Sequence, residues 1–299
     1  MEQAIDISTF KAWVEEGTEQ ELDEPETEEE LKPLLSDLPE PRAIVEEQYY
    51  EKYSVTEWIL ANGARVWLKP TEFQQEQIRF AAIGKGGYSS VADSALFSAH
   101  NCLEIAHYSG SLEHTDEDLD RIMQSPKSRM GFKIEDYFHR ISGYAFVEEL
   151  ELIWQYFWVR TQTPTWKESA HQKIVEWRET ELLNQENSPR RRFSYRLRSL
   201  MWGEHPRKAA PTIEDCSTIH LDEAQECFEQ LFRPAAGMTF IFVGAFTLEQ
   251  IAPLIQRYIG GLPPSSEKRM QDAGERIFRG KISERMYLET EDKATVHLL

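Results

Sequence analysis

Residues 56–71 read TEWILANGARVWLKPT, in which Asn62 and Gly63 separate two runs of alternating apolar and polar residues. Asn-Gly supplies the positive φ angles of a tight turn, so this stretch predicts a β-hairpin. IRFAAIGKGG (78–87) continues as a third strand ending in glycines, and MTFIFVGAF (238–246) is a continuously apolar strand. Strands early and late in the chain with helices between them predict an α+β domain, with helices packed on one face of a largely antiparallel sheet.

Helical periodicity fills the middle of the chain. Apolar spacing and capping residues predict helices at 93–108, 116–123, 147–160, 166–187, 188–202, 221–231 and 247–263. The helix VEELELIWQYFWVR (147–160) is apolar nearly all round, which indicates burial. RMGFKIEDYFHRISGYAF (129–146) and ERMYLETEDKATVHLL (284–299) are each interpreted as two strands, the last of them running to Leu299.

The net charge of −19 is unevenly distributed along the 299 residues. Residues 1–57 hold 18 acidic and 4 basic side chains, whereas the rest of the chain is nearly balanced. The segment TEQELDEPETEEELKP (18–33) has the charged, proline-punctuated composition of a linker. We therefore predict an acidic interdomain linker or leader at 1–45 and a folded α+β domain at 46–299.

The composition argues against several kinds of partner and chemistry. Nucleic acid is not expected to bind so acidic a chain, and the one basic cluster, PRRRFSYRLR (189–198), is interpreted as a solvated helix face. No apolar run is long enough for a membrane span. Cys102, Cys216 and Cys227 lack paired metal-ligand spacing and are expected to be buried thiols. A nucleophile elbow, a phosphate-binding loop and a dinucleotide fingerprint are also missing from the sequence.

The segment SAHNCLEIAHYSG (98–110) is the strongest candidate for a metal site. On a helix, one side of it is an apolar face formed by Ala95, Ala99, Cys102, Leu103 and Ala106. His100, Glu104 and His107 lie together on the opposite side. Because zinc is bound in proteins by imidazole and carboxylate groups, these three residues could ligate it. A helix with an ordinary polar face is the alternative.

Glu181 is the second unusual position. It continues an apolar stripe of the predicted long helix, formed by Trp166, Ala170, Ile174 and Trp177. A carboxylate on such a face needs a partner, which can be a cation, a backbone donor or a metal. We interpret Glu181 as a hydrogen-bonded structural glutamate, with metal ligation as the alternative.

Four segments, in their order and spacing, resemble one domain of the pitrilysin (insulinase) family of zinc peptidases, whose inverted motif is His-x-x-Glu-His. They are the hairpin LANGARVWLKPT, the turn GKGGYSS, the helix SAHNCLEIAH with the Gly110 that follows it, and FVGAFTLEQIAPLIQRYIGGLP. The resemblance begins near Glu46 and implies a metallopeptidase fold of the LuxS/pitrilysin-like type. Family members consist of two halves that close around a peptide, and only the first half carries zinc. The acidic segment and the open last strand resemble the start of the second, non-catalytic half of a bacterial periplasmic member, so a fragment of a longer chain is expected.

The inverted motif is broken in this chain. The family chemistry needs two histidines four residues apart as zinc ligands and a glutamate beside the second one as general base. Counted forward from the glycine turn, the first ligand, the base and the second ligand fall on His100, Leu103 and Glu104. Counted back from the glycine after the helix, they fall on Asn101, Glu104 and Ile105. Neither register retains the motif.

The resemblance therefore implies no catalytic residue and no metal ligand in this chain. The residues that stand at the degenerate ligand positions are His100, Glu104 and Glu181, the last at the place of the family's third ligand. No cofactor is expected here, and zinc is expected in the catalytic half of the parent protein. Substrate-binding residues are not identified.

Three functions remain open at this point. The first is a non-catalytic domain of a zinc-dependent metalloendopeptidase that forms part of the peptide-binding chamber and supports proteolysis by a separate catalytic half. Its partners would be that half of the same parent chain and peptide substrates, and the family likeness suggests the periplasm. The second is a metal-free scaffold or protein-interaction module with the same fold, anchored by Trp154, Trp158, Trp166 and Trp177. The third is an independent metal hydrolase that uses His100, Glu104, His107 and Glu181.

Overall fold

The computed structural model describes Lys11 and residues 32–73, 76–186, 188–235, 237–264 and 271–287. The compact unit considered below begins at Leu34. Its described residues form the strands β1 (Ile44–Tyr50), β2 (Val55–Leu60), β3 (Arg65–Pro70), β4 (Gln77–Lys85), β5 (Arg129–Ile134), β6 (Phe138–Phe146) and β7 (Met238–Gly244). They also form the helices α1 (Leu96–Ser109), α2 (Asp116–Ile122), α3 (Leu150–Gln162), α4 (Glu168–Glu186), α5 (Pro189–Met201), α6 (Ile213–Cys216), α7 (Leu221–Phe232) and α8 (Leu248–Leu254). Helix α8 continues as a π-helical turn over Ile255–Ile259.

The strands form one sheet in the order β1-β2-β3-β7-β4-β6-β5. Neighbouring strands are antiparallel except β3 and β7, which run parallel. The predicted hairpin is β2 with β3: Gly63 has a φ of +85°, and the Leu60 amide donates to the carbonyl of Ala64 at 2.9 Å. Strand β7 lies in the middle of the sheet, between the hairpin and β4, although it is the last of the described strands in the sequence.

Helices cover one face of the sheet, as predicted. Along β7, Met238, Phe240 and Phe242 are buried, and the residues between them are partly exposed on the other face. The buried side chains belong to one core that includes residues of α1, α3, α7 and α8. The predicted α+β class with a largely antiparallel sheet is confirmed. Within the described ranges, no helix has the length and apolar character needed to cross a membrane.

Strand β1 extends the sheet along an edge that the sequence analysis did not identify. Its residues are exposed from Val45 onward, so they lack the alternation that marks a half-buried strand. Ahead of β1, Leu34 is only 4% exposed and packs with Leu119 and Val159. The domain boundary at residue 46 stays a prediction. Of the predicted leader, Lys11 and the residues from 32 onward are described. Residues 284–287, which begin the segment predicted as two strands at 284–299, form no strand, and the rest of that segment lies outside the described residues.

Asn62 joins the hairpin turn to the end of the π-helical turn after α8 and the residues that follow it. Its Nδ2 lies 2.8–3.0 Å from the carbonyl oxygens of Ile259, Gly260 and Leu262, and its Oδ1 accepts from the amide of Ala64 at 3.1 Å. The side chain is buried, so these bonds satisfy a carboxamide that water does not reach. Two of the sequence segments that carry the family resemblance, the LANG turn and the GGLP end, are thus in direct contact.

Candidate functional site

Helix α1 carries the residues of the broken motif and packs against α4 and α7. Its fully buried apolar residues are Ala99, Cys102, Ile105 and Ala106. Leu103, predicted for that face, is only partly buried, whereas Asn101 is 1% exposed. A buried carboxamide needs hydrogen-bond partners, and Asn101 Nδ2 donates to the carbonyl of Phe97 at 2.8 Å. The three cysteines are buried and form no disulfide, in agreement with their prediction as buried thiols.

Arg178 of α4 lies at the centre of the site. Its Nε donates to Oδ1 of Asn101 at 2.5 Å, and one Nη donates to Glu181 at 2.7 Å. The other Nη lies 3.4 Å from Oε1 of Glu104. The guanidinium also stacks on the ring of Trp177, 4.7 Å from its centroid. A single cation therefore holds together three polar groups from two helices.

The two registers of the motif differ in which of their residues contact Arg178. When the motif is counted back from Gly110, Asn101 stands at the first ligand and Glu104 at the base, with Glu181 at the third ligand. All three side chains contact Arg178. In the other register the first ligand would be His100, which packs edge-on against Tyr88, 4.4 Å between ring centroids. The guanidinium thus joins the three residues that the register counted back from Gly110 assigns to the first ligand, the base and the third ligand.

The residues at this position do not fit a zinc ion. Zinc takes imidazole, thiolate or carboxylate ligands, whereas both carboxylates here bind a side-chain cation and Ile105 has no ligand atom. In the part of the chain that the structure describes, no group of three or more His, Cys, Asp and Glu side chains is placed to hold a metal. An independent hydrolase built on His100, Glu104, His107 and Glu181 would need such a group.

Glu181 is the carboxylate that Arg178 contacts most closely. Partial burial by itself raises the pKa of Glu181, but hydrogen bonds and charges from Arg178 and Arg191 outweigh it and lower that pKa below its usual value. The Arg191 contact is longer, at 3.3 Å. This geometry is that of a hydrogen-bonded structural glutamate whose partner is a cation, as interpreted from the apolar stripe.

His100 lines a cleft of about 650 Å³, which Asn101, Arg178 and Glu181 also line. Desolvation in the cleft, with the nearby cations Lys208 and Arg198, lowers the pKa of His100 to about 4, so the imidazole is neutral at pH 7. Lys208 forms ion pairs with Asp136 at 2.8 Å and with Glu275 at 2.9 Å. The cleft is therefore rich in charges that neutralise each other.

Arg207 and Lys208 were not singled out by the sequence analysis. They lie in the loop HPRKAAP that follows α5. Arg207 donates to the carboxylate of Asp93 at 2.6 Å and to the carbonyls of Tyr88 and Val91 at 2.9 and 2.5 Å. The loop is thereby tied to the glycine turn that precedes α1. The sequence did contain a signal for them, because two adjacent cations lie in a loop rich in proline and alanine. Unlike the arginines of 189–198, they cannot be explained as the solvated face of a helix.

His107 lies two turns beyond His100 and borders a different cavity, of about 430 Å³, which shares no lining residue with the cleft. Its Nε2 lies 3.7 Å from the carboxylate of Asp120. Burial and the Arg160 charge lower the pKa of His107. The two histidines thus face separate spaces and do not converge on one point.

The four tryptophans considered as interface anchors have different surroundings. Trp154 is buried in the core, 5.6 Å from the ring of Phe80. Trp158 and Trp166 are half-buried, and Trp177 is 49% exposed. Core packing accounts for Trp154, and Trp177 is the tryptophan of this set that a partner could reach.

Fold and site together define an α+β domain in which Arg178 of α4 joins Asn101 and Glu104 of α1 to Glu181. Residues 218–298 match the family described as the peptidase M16 inactive domain. A zinc protease PQQL-like protein from Arabidopsis thaliana is 24% identical over 230 residues, which are 77% of this chain and 22% of the relative. The predicted resemblance to the pitrilysin (insulinase) family is confirmed.

Solved structures agree on the fold. The periplasmic protease PqqL from Escherichia coli matches 93% of this chain and 30% of its own, with a TM-score of 0.71 and 19% sequence identity. A peptidase M16 inactive domain from Pseudomonas fluorescens matches 73% of this chain and 53% of its own, with a TM-score of 0.60 and 15% identity. The chain thus spans less than a third of the length of PqqL and of the Arabidopsis relative.

Proposed function

We propose that the chain is a non-catalytic domain of a zinc-dependent metalloendopeptidase, forming part of the wall of the peptide-binding chamber and supporting proteolysis by a separate catalytic half. It would be the first domain of the second half of a longer protein. The observation that carries this proposal is the Arg178 network, because Asn101, Glu104 and Glu181 are already engaged by a cation. Because both carboxylates pair with Arg178, the proposal assigns the metal and the water-activating base to the separate catalytic half.

The comparisons support the same function. The matched family is an inactive domain, and the relatives are a zinc protease PQQL-like protein and a periplasmic protease. Zinc would then belong to the catalytic half, and the partners of this domain would be that half and peptide substrates. The periplasm is the proposed location, because PqqL is a periplasmic protease.

Zinc content tests the proposal directly. The wild-type chain, dialysed against a weak chelator, is expected to contain almost no zinc by elemental analysis. A matched variant, Asn101→His with Ile105→His and Arg178→Ala, restores the two histidines and removes the cation, and is expected to retain about one zinc per chain. About one zinc in the wild type would overturn the proposal. A folded triple variant that binds none would contradict only the assignment of the metal position.

A metal-free interaction module is the alternative function, and the exposed Trp177 favours it. The two functions differ in the parent protein. An intact His-x-x-Glu-His motif upstream in the same polypeptide, with peptidase activity that depends on this domain, is expected for the chamber wall. A parent protein without such a motif would instead indicate the interaction module.

A further inference from the structure

A second arginine, Arg160, is deeply buried and has few partners. It lies in the last turn of α3 and is 9% exposed. One Nη lies 3.4 Å from the carbonyl oxygen of His107, at the C-terminal end of α1, and the guanidinium lies 6.0 Å from the ring centroid of Tyr156. Its Nε is buried without a hydrogen-bond partner among the described residues. The side chain therefore makes one long hydrogen bond where five donors are available.

Such a cation is costly to bury. Arginine stays charged in proteins, and a buried charge normally has a partner of opposite sign. Asp116 and Asp120 of α2 act on Arg160 through their charge, but in the described part of the chain neither forms an ion pair with it. Among the residues that the structure describes, no carboxylate therefore completes the hydrogen bonding of the guanidinium.

Arg160 lines the cavity of about 430 Å³ that also borders His107. The walls of this cavity come from five elements, and half of the ten residues that line it have large aromatic side chains: Tyr108, Phe132, Tyr156, Trp177 and Phe228. Largely apolar walls with a few convergent polar groups, here Arg160, Glu104 and His107, are typical of pockets for small organic groups, and the volume lies in the range of such pockets. The cavity has room for one apolar side chain together with a carboxylate.

We propose that this cavity binds a carboxylate attached to an apolar group, as at the C-terminal residue of a peptide. The planar guanidinium fork matches a carboxylate with two parallel hydrogen bonds, and the aromatic walls would hold the side chain. A dianionic phosphate is disfavoured, because Glu104 lines the same cavity and Asp116 and Asp120 act on the same cation. This binding is independent of the proposed role in a peptidase.

Fluorescence anisotropy with three labelled peptides tests the proposal. The first peptide ends in phenylalanine with a free carboxylate, the second is its C-terminal amide, and the third is the amide with an internal glutamate. The free acid is expected to bind about tenfold or more tightly than the amide, because the buried guanidinium is left unpaired by the amide. If the third peptide binds as well as the first, the cavity recognises the carboxylate of a glutamate side chain in the peptide and does not require the C-terminal carboxylate. Equal binding of the first two peptides with weak binding of all three would overturn the proposal.

Substitutions locate the binding. Arg160→Gln is expected to abolish the preference for the free acid, and Arg160→Lys to reduce it, because lysine keeps the charge but loses the fork. Arg121→Gln, on the exposed surface of α2, removes the same charge nearby and is the control that should bind like the wild type. Circular dichroism checks folding, and Arg160→Lys carries the test if Arg160→Gln does not fold. An unchanged preference in the folded Arg160 variants would contradict the assignment.

Discussion

Arg178 and Arg160 contact the same helix, α1, and have opposite surroundings. The Arg178 side chain is 22% exposed, and its donors reach Asn101, Glu104 and Glu181. Arg160 is more deeply buried and makes one long hydrogen bond. A purely structural cation needs more partners as it becomes more buried. Here the more buried arginine, Arg160, has fewer partners than Arg178. The comparison indicates that the charge of Arg178 is matched by partners within the domain, whereas the described residues give Arg160 no close counter-ion.

The largest expected effect is that of Arg178→Ala. It leaves Asn101 buried with an unsatisfied oxygen and places Glu104 and Glu181 together without their shared cation. We expect a loss of about 2–3 kcal/mol in the free energy of unfolding, between the values for exposed and buried ion pairs. Urea unfolding measures it. The control is Arg196→Ala, which removes a more exposed arginine paired with Glu204 and Glu284. A loss no larger than that of the control would show that the network is not structural.

Glu181→Gln is the second test of the Arg178 network, and its effect depends on pH. Because the pKa of Glu181 is lowered in the folded protein, its contribution is present above the usual value of 4.5 and is lost as the pH falls through the lowered value. We expect Glu181→Gln to cost about 1 kcal/mol at pH 7, since one charged hydrogen-bonding partner becomes neutral. Urea unfolding at several pH values should show this difference disappear on acidification. A difference independent of pH would mean that packing, and not charge, explains the substitution.

Arg160→Met sharpens the contrast between the two arginines. Removing an incompletely paired buried cation and replacing it with an apolar side chain is expected to change the free energy of unfolding by less than about 1 kcal/mol, or to raise it. Thermal and urea unfolding of the same preparation measure the change. A loss as large as that of Arg178→Ala would indicate a structural role for Arg160 and would remove the basis of the comparison.

The smallest expected effect is that of Arg191→Ala. Arg191 is half-exposed and lies 3.3 Å from Glu181, on the outer side of the network. Exposed ion pairs contribute little, so we expect a loss below about 0.5 kcal/mol in urea unfolding. A larger loss would mean that the carboxylate of Glu181 depends on two cations, and the central role assigned to Arg178 would have to be shared.

Much of the fold could be predicted because its patterns are local. The Asn-Gly turn, the apolar run of β7 and the periodicity of the helices each act within a few residues, and all reappear in the structure. Strand β1 was missed because its side chains are exposed, so it shows no alternation. The parallel pairing of β7 with β3 could not be predicted either, because pairing between segments far apart in the chain produces no pattern in the local sequence.

The candidate site was predictable only in part. The loss of the motif follows from the sequence at either register, and the need of Glu181 for a partner follows from its apolar stripe. The partner itself, Arg178, is one of several charged residues on α4, and its contacts with Asn101 and Glu104 join residues far apart in the sequence. Arg160 did leave a signal, because it ends a helix predicted to be buried. A lone cation in such a helix points to a binding site or a buried ion pair.

The position of β7 has a consequence for the order in which the domain can form during synthesis. Strands β3 and β4 emerge early, but each keeps an open edge until β7, the strand that lies between them, has left the ribosome. Open apolar edges attract other chains, so the nascent domain is exposed to aggregation for most of its translation. The Asn62 contacts with Ile259, Gly260 and Leu262 form later still. The β2–β3 hairpin is made early, but its place in the sheet is therefore fixed only after β7 and residues 259–262 have been made.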